Sequence, residues 1–133
     1  MTEIEKAYAA GLIDGEGTVT LTRRDRKAKY RWPVVSVTST TLEIIEQLAK
    51  FGGSVHKRSR RIKHHKDVWV WSIRGQKALA FLRMVRPYMV EPSKVTRADI
   101  LINDYDAVTC RNGKYTPEKH EKKRVFEAEF MSS

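Results

Sequence analysis

The sequence predicts one α+β domain with a four-stranded antiparallel sheet and helices on one face of it. The chain has 133 residues, the length of one ordinary domain, and 41% hydrophobic residues, enough for a single core. Two pairs of strand-like segments each enclose a short basic turn, as antiparallel hairpins do. Segments with helical spacing precede, separate and follow these pairs, which gives the order α-β-β-α-β-β-α-α-α over residues 1–133.

The first helix and hairpin are predicted from residues 2–38. A helix begins at Thr2 or Glu3, because apolar residues recur at i, i+4 and i+8, and it ends at Gly15 and Gly17. Strands follow over 18–24 and 30–38, with valine and leucine facing the helices and threonine and serine facing outward. Pro33 favours an edge position or a bulge for the second strand.

The remaining elements follow from the same periodicities. Helices are predicted over 41–51, 76–85, 93–105 and 117–130, and strands over 55–58 and 68–73. Trp69, Trp71 and Ile73 share the inward parity of the last strand and are expected in the core. In the final helix, Lys119, Lys122 and Lys123 are expected to face solvent or the flank of a bound partner.

The charge of the chain indicates a polyanionic partner. Lys and Arg total 26 against 16 Asp and Glu, a net charge of +10, and nucleic acid is the commonest partner of such a domain. The basic residues concentrate in the two predicted turns, over 23–31 and 57–66. Two basic hairpins on one sheet would form a positive saddle for a duplex. The alternative is that these charge runs are solvated loops.

Several classes are excluded or disfavoured. The single cysteine, Cys110, excludes an intramolecular disulfide and a zinc site built from cysteines. No apolar run approaches the roughly 20 residues that cross a bilayer. The N-terminal residues are acidic and amphipathic, unlike a signal peptide. We therefore expect a reduced protein that is not secreted and that resides in the cytoplasm, or in an organellar matrix if it is organelle-encoded.

One segment carries most of the functional information. Residues 9–17 read AAGLIDGEG, which resembles the LAGLIDADG motif of homing endonucleases, with Ala9, Gly15 and Glu16 as the departures. The resemblance extends to the order of elements, to the V-T-x-T segment that begins at Val37, to the pair Gly52-Gly53 and to a lysine, at position 94, that leads into an apolar helix. The motif occurs once in the chain.

The resemblance implies an αββαββα LAGLIDADG core with extra C-terminal helices. It implies a site-specific double-strand DNA endonuclease, encoded by a mobile intron or similar element, that acts as a homodimer on a long pseudo-palindromic site. The implied cofactor is Mg²⁺, with Mn²⁺ as a substitute and Ca²⁺ supporting binding only. The alternatives are an RNA maturase, with intron RNA as a partner, and a DNA-binding regulator without cleavage. A basic structural RNA-binding protein would leave the motif helix unexplained.

The motif helix predicts contact with a second helix. Gly11 and Gly15 lie four residues apart, one turn beyond Ala7, and each glycine inside a helix costs roughly 1 kcal/mol relative to alanine. Close approach of another helix accounts for this cost. An intramolecular contact for Gly11 and a helix cap at Gly15 are the alternatives. The resemblance implies that two motif helices pack about a two-fold axis. The predicted interface consists of Ala7, Ala10, Gly11, Asp14 and Gly15.

The acids of the motif predict a metal site. Asp14 and Glu16 lie at the C-terminal end of the helix, where the helix dipole disfavours negative charge, so a bound cation would explain their position. The resemblance implies that Glu16 binds the divalent ion with help from the backbone carbonyl of Gly15. For Asp14 it implies a mainly structural role.

The resemblance implies two further active-site residues. Lys94 corresponds to the family's active-site lysine, which stabilises developing charge near the scissile phosphate or polarises water; Arg97, one turn later, is a candidate to share this role. The alternative for Lys94 is a surface lysine in the first turn of a helix. Ser39 lies where the family often has glutamine or asparagine ordering water near the metal, and its shorter side chain leaves a direct role open.

The outward positions of the sheet are predicted to contact DNA. A β-ribbon fits the major groove, where arginine reads guanine and serine or threonine bonds to several base edges. Basic residues of the turns would hold phosphates and fix the register. The predicted DNA contacts are Thr20, Thr22, Arg24, Arg26, Trp32, Ser36, Thr38, His56, Arg58, Arg60, Arg61, Val70 and Ser72.

Overall fold

Two helix–hairpin units followed by three helical segments build the domain. A computed structural model describes residues 1–59, 67–111 and 113–133. The helices are α1 (Glu3–Glu16), α2 (Leu42–Ala49), α3 (Gln76–Val85), α4 (Pro92–Asp104) and α5 (Pro117–Met131), with one-turn 3₁₀ helices at Arg86–Tyr88 and Asp106–Val108. The strands are β1 (Gly17–Arg23), β2 (Arg31–Ser39), β3 (Ser54–Arg58) and β4 (Val68–Arg74). The predicted fold class is confirmed.

The sheet is antiparallel throughout, with the strand order β1-β2-β4-β3. Its inward face is apolar and buried beneath the helices, as the cross-strand pairs Val19–Val35 and Val37–Trp71 show. Its other face, which we call the outer face, carries the alternate residues, many of them polar. None of the described helices is long and apolar enough to cross a membrane.

Pro33 does not lie on an edge strand or at a bulge, so that expectation is wrong. β2 is a central strand that pairs in continuous register with β1 and with β4. The ladder to β4 ends at the pair Val34–Arg74, one residue before Pro33 is reached. The proline ring therefore removes no N–H from that ladder. Its carbonyl accepts a hydrogen bond of 2.9 Å from the backbone N–H of Gly75.

Helix α1 begins at Glu3, as predicted, and ends at Glu16, directly before one of the two glycines that were expected to end it. Thr2 and Glu5 form a reciprocal capping box at its start. Gly15 does not end the helix; it lies inside the last turn, and Gly17 is the C-cap. A Cβ at Gly17 would lie 2.7 Å from the Cα of Ile13, so only glycine permits this tight passage from helix to strand.

Lys123 is buried, which corrects its predicted exposure. The side chain is fully enclosed, its Nζ donates a 2.6 Å hydrogen bond to Thr109 Oγ1, and its ammonium lies 4.0 Å from the ring centroid of Tyr105. Burial lowers the pKa of Lys123 from 10.5 to about 8, because the charged form loses its hydration. Lys123 thus fastens α5 to the chain segment that follows α4.

The buried Lys123 should make the free energy of unfolding rise with pH between about 8 and 10.5. In this window the unfolded chain binds a proton at Lys123 that the folded chain has released, so stability increases with pH, by at most about 1.4 kcal/mol per unit. Urea titrations at pH 7.5, 8.5 and 9.5 should show this rise, and Lys123→Met should flatten it. An equal slope in Lys123→Met would contradict the assignment. Desolvation raises the pKa of Tyr105 and Tyr115, and their opposite effect begins only near pH 10.

Candidate functional site

The C-terminal end of α1 is joined to the start of α4 by reciprocal hydrogen bonds. Lys94 Nζ donates to the carbonyls of Ile13 (3.0 Å) and Asp14 (2.8 Å), which lie among the last carbonyls of the helix. The carboxylate of Asp14 accepts from the backbone N–H groups of Val90 (3.0 Å) and Glu91 (3.0 Å). Glu91 in turn caps α4 by accepting from the N–H of Lys94 at 2.8 Å. We call this arrangement the α1–α4 clasp.

The clasp defines the positions of three predicted site residues. Asp14 is engaged within its own chain, in line with a structural role. The ammonium of Lys94 lies at the end of α1 that carries Glu16. Its hydrogen bonds there go to backbone carbonyls and not to a carboxylate. Arg97 is engaged elsewhere: it donates to the carbonyl of Val19 at 3.0 Å and lies 4.9 Å from the ring centroid of Phe130.

Lys94→Met should lower both stability and any catalytic rate. The substitution removes two charge-assisted hydrogen bonds from the end of α1, each worth about 1.5–3 kcal/mol at most. A lysine that acted only on substrate would leave the melting temperature unchanged. Thermal unfolding of Lys94→Met therefore separates the two roles. Lys77→Met, a change of the same kind at an exposed position of α3, is the control and should leave the melting temperature near that of the unmodified chain.

Glu16 and Ser39 share one cavity, although they are distant in sequence. The cavity has a volume of about 360 Å³ and lies where α1 meets β2 and the start of α2. Glu16 is exposed, and within the described parts of the chain its carboxylate forms no hydrogen bond or ion pair. The hydroxyl of Ser39 accepts from the N–H of Thr41 at 3.0 Å, so it shapes the turn into α2.

The described part of the chain offers few of the ligands that a metal ion would need. Among the described residues no group of three His, Cys, Asp or Glu side chains could hold a metal ion. Glu16 supplies one carboxylate, and Gly15 supplies a backbone carbonyl that is not a partner of Lys94. Such hard oxygen donors fit Mg²⁺, which is often held by one or two carboxylates together with water and phosphate oxygens. Both residues therefore fit a divalent cation shared with a second group of ligands.

Packing against the described residues of the chain does not require the two glycines on the outward face of α1. Among the residues that the structure describes, a Cβ built on Gly11 or on Gly15 would meet nothing within 4 Å, so no tight contact with them requires glycine at position 11. The same face exposes apolar side chains, with Ile4 82% and Tyr8 49% exposed, and Ala7 lies beside them. We call residues 4, 7, 8, 11 and 15 the α1 stripe.

Ala10 does not belong to this stripe, which corrects its predicted place in a dimer interface. Its side chain is completely buried in the core beside Ala9 and Ile13. No surface of Ala10 is left for a second chain to cover. The small residues of α1 thus lie on two faces. Ala9 and Ala10 pack in the core, whereas Ala7, Gly11 and Gly15 are exposed.

Most of the predicted DNA-contact positions lie on the outer face or in the turns around it. The strand register places Thr20 opposite Val34, Thr22 opposite Trp32, and Thr38 opposite Val70. The remaining positions with outward parity are Ser36, His56 and Arg58, the last two on the exposed edge strand β3. Arg24 and Arg26 are exposed in the first turn, whereas Arg60 and Arg61 lie outside the described residues.

Val70 and Ser72 lie on the outer face of the sheet, as predicted, but their side chains are buried. Their side chains are 9% and 2% exposed, so neither offers a free surface to a base, and their predicted contacts are corrected. Arg74 contributes to this closure, because its Nη1 donates to Ser72 Oγ at 2.8 Å. Arg74 was missed because the predicted strand stopped at residue 73. The alternation that placed Ser72 outward would have placed Arg74 outward as well.

The first basic turn has a defined shape. Asp25 Oδ1 accepts from the backbone N–H groups of Lys27 (2.8 Å) and Ala28 (2.9 Å), a side-chain turn that is typical of aspartate. The guanidinium of Arg24 lies over the ring of Trp32, 5.4 Å from its centroid. These contacts fix the conformation of the turn, so its basic side chains project from a defined backbone beside the outer face.

Fold and site together define an α+β domain with one exposed helix face that carries two glycines. The same helix ends at an exposed glutamate, next to the largely polar outer face of the sheet. Residues 3–86 match the model of a family described as LAGLIDADG-like domain. The chain belongs to the LAGLIDADG family, and it carries one copy of the motif.

Solved structures share this fold at low sequence identity. The homing endonuclease I-TnaI is 21% identical, with a TM-score of 0.63 over 93% of this chain and 86% of its own. I-CvuI, solved with an uncleaved DNA target in the presence of Mg, is 17% identical, with a TM-score of 0.61 over 98% and 82%. I-GzeII, in complex with its DNA target, is 14% identical, with a TM-score of 0.67 over 92% of this chain and 43% of its own. No sequence among the curated proteins matches.

Proposed function

We propose that this protein is a site-specific endonuclease of double-stranded DNA that acts as a homodimer with a divalent cation. The observation that carries the proposal is the placement of Glu16. It is an exposed acid at the end of a helix whose outward face carries two uncrowded glycines, near a sheet face that is bordered by an exposed basic turn. The solved relatives in complex with DNA targets support the same choice of substrate.

The outer face would bind the duplex. A net charge of +10 attracts phosphates whatever their sequence, and the exposed turn that carries Arg24 and Arg26 would hold the backbone. Thr20, Thr22 and Trp32 lie together at one end of the outer face, where a β-ribbon in the major groove would meet base edges.

The metal would be held by Glu16 and the carbonyl of Gly15. When bound, a divalent cation activates water and neutralises charge at the phosphodiester, in line with the Mg and Ca conditions of the solved relatives. The clasp of Lys94 and Asp14 fixes the end of α1, and so the backbone from which Glu16 projects. An ammonium this close to the helix end also counters the negative end of the helix dipole.

The dimer would be built on the α1 stripe. Its glycines permit two helices to approach more closely than the usual 8–10 Å between helix axes. A two-fold axis through this contact brings two copies of Glu16 near one another and completes the ligand set that one protomer leaves incomplete.

The proposal is tested by selection followed by cleavage. Duplexes bound by the protein in Ca²⁺ are enriched over several rounds from a random library, and the enriched duplex is then exposed to Mg²⁺ or to EDTA. We expect a pseudo-palindromic sequence that is cut on both strands only when Mg²⁺ is present. Specific binding without cutting would instead identify a DNA-binding regulator. Absence of any enriched sequence would overturn the proposal.

A further inference from the structure

Two arginines, one on the outer face and one in the first basic turn beside it, are held by neighbouring side chains of the chain itself. Arg74 Nη1 donates to Ser72 Oγ at 2.8 Å, and Ser72 is almost fully buried, so this anchor is fixed. Arg24 stacks over the ring of Trp32 at 5.4 Å from the centroid. In both cases one part of the guanidinium group has a partner, while the arginine itself is exposed.

Trp32 is itself held in place by the backbone. Gly75 has a φ of +67°, which favours glycine, and a Cβ at this position would lie 3.2 and 3.4 Å from ring atoms of Trp32. Gly75 therefore permits the ring to pack against the end of β4. A half-buried tryptophan in this position is a rigid platform for the arginine above it.

The partners of the two arginines relate both of them to strand β2. Arg74 is opposite Val34 in the register, and Trp32 is the preceding outward position on the same strand. Successive outward positions are about 7 Å apart along a strand, and β1 and β4 lie about 5 Å to either side of β2, so the separation corresponds to a few base-pair steps of a duplex. Both guanidinium groups therefore lie within reach of one short stretch of DNA.

We propose that Arg24 and Arg74 each read a guanine in every half-site, and that Trp32 and Ser72 are the positioning residues that hold them. A guanidinium group has five N–H donors in a planar fork, and two of them match O6 and N7 of guanine. A side chain that is already held loses less conformational freedom when it binds. This inference rests on the proposed function, because it takes the outer face to be the DNA-binding face.

The test compares the sequences selected by variant proteins from a random duplex library in Ca²⁺. Arg74→Lys and Arg24→Lys keep the charge and remove the fork. Each should lose its guanine preference at one position of the half-site, by roughly ten- to hundredfold, with the two positions within about four base pairs of each other. Arg83→Lys makes the same change on α3, away from the outer face, and should leave the selected sequence unchanged.

The positioning residues are tested by a crossed pattern. Ser72→Ala should weaken the preference at the position read by Arg74 and not at the other. Trp32→Leu should do the reverse, with Trp32→Phe as a milder replacement if the leucine variant does not fold. A merely structural role would weaken both preferences together and overturn the positioning assignment.

The possible failures are distinguishable. If the unmodified protein enriches no sequence, the proposed function fails. If it enriches a sequence that Arg24→Lys and Arg74→Lys leave unchanged, the proposed function stands and this inference is wrong.

Discussion

Glu16→Gln should abolish strand cleavage in Mg²⁺ while specific binding in Ca²⁺ persists. Glutamine keeps the size of the side chain and removes the negative charge that a divalent cation requires. Loss even of a group that orients a metal ligand costs 10–100-fold in metal affinity or activity, so loss of the ligand itself should slow cleavage by at least about 100-fold. Binding without metal should become tighter, because one negative charge per protomer is removed beside the phosphates.

The measurement is a single-turnover cleavage assay beside a binding assay on the same duplex. Stability should not change, because within the described residues the carboxylate of Glu16 has no partner to lose. Glu46→Gln, at another exposed helical glutamate, is the matched control and should cut normally. Cleavage by Glu16→Gln at a near-normal rate would remove the main support for a nuclease.

The order and faces of the elements could be predicted because they depend on local periodicity. Val19 and Leu21 alternate with threonines along β1, and that alternation indicates which side of the strand is buried. Pro33 was misplaced for a different reason. The N–H that proline lacks would point toward β4, the side on which the carbonyl of Pro33 accepts from Gly75, and where β4 stops is a tertiary fact that the sequence around Pro33 does not contain.

The candidate site was predictable to a similar extent. The motif itself placed Glu16 at the end of a helix, but the clasp joins Lys94 and Asp14 across about 80 residues of chain. Lys123 shows the limit of a rule based on charge. It lies three residues before Phe126 and seven before Phe130, so all three side chains share one helix face. That face is buried, and the helical spacing therefore predicts the position of Lys123 correctly, whereas its charge does not.

Gly11→Leu should convert the dimer to a monomer without destabilising the fold. Gly11 is exposed, and a Cβ built on it would meet none of the described residues of the chain within 4 Å. Glycine is roughly 0.8–1.0 kcal/mol less favourable than alanine inside a helix, and leucine ranks just below alanine, so the free energy of unfolding of the single chain should rise. In a pair of helices packed at the α1 stripe, the same side chain would occupy the space of the partner backbone.

Sedimentation velocity measures the loss of self-association, and chemical denaturation measures the stability of the protomer. Ala80→Leu is the matched control, because it adds a leucine side chain at an exposed position of α3 and should leave the dimer intact. If Gly11→Leu sediments as a dimer, the α1 stripe is not the interface.

Gly11→Leu and Glu16→Gln should both abolish double-strand cleavage, but for separable reasons. Glu16→Gln keeps two protomers on one duplex and removes the carboxylates that hold the cation. Gly11→Leu keeps every carboxylate and separates the two copies that together complete the ligand set. A mixture of the two variants should therefore not regain activity, since no protomer with an intact Glu16 can pair through an intact stripe with another. Recovery of cleavage in that mixture would show that one protomer's carboxylate suffices, and that the stripe serves some purpose other than bringing two sites together.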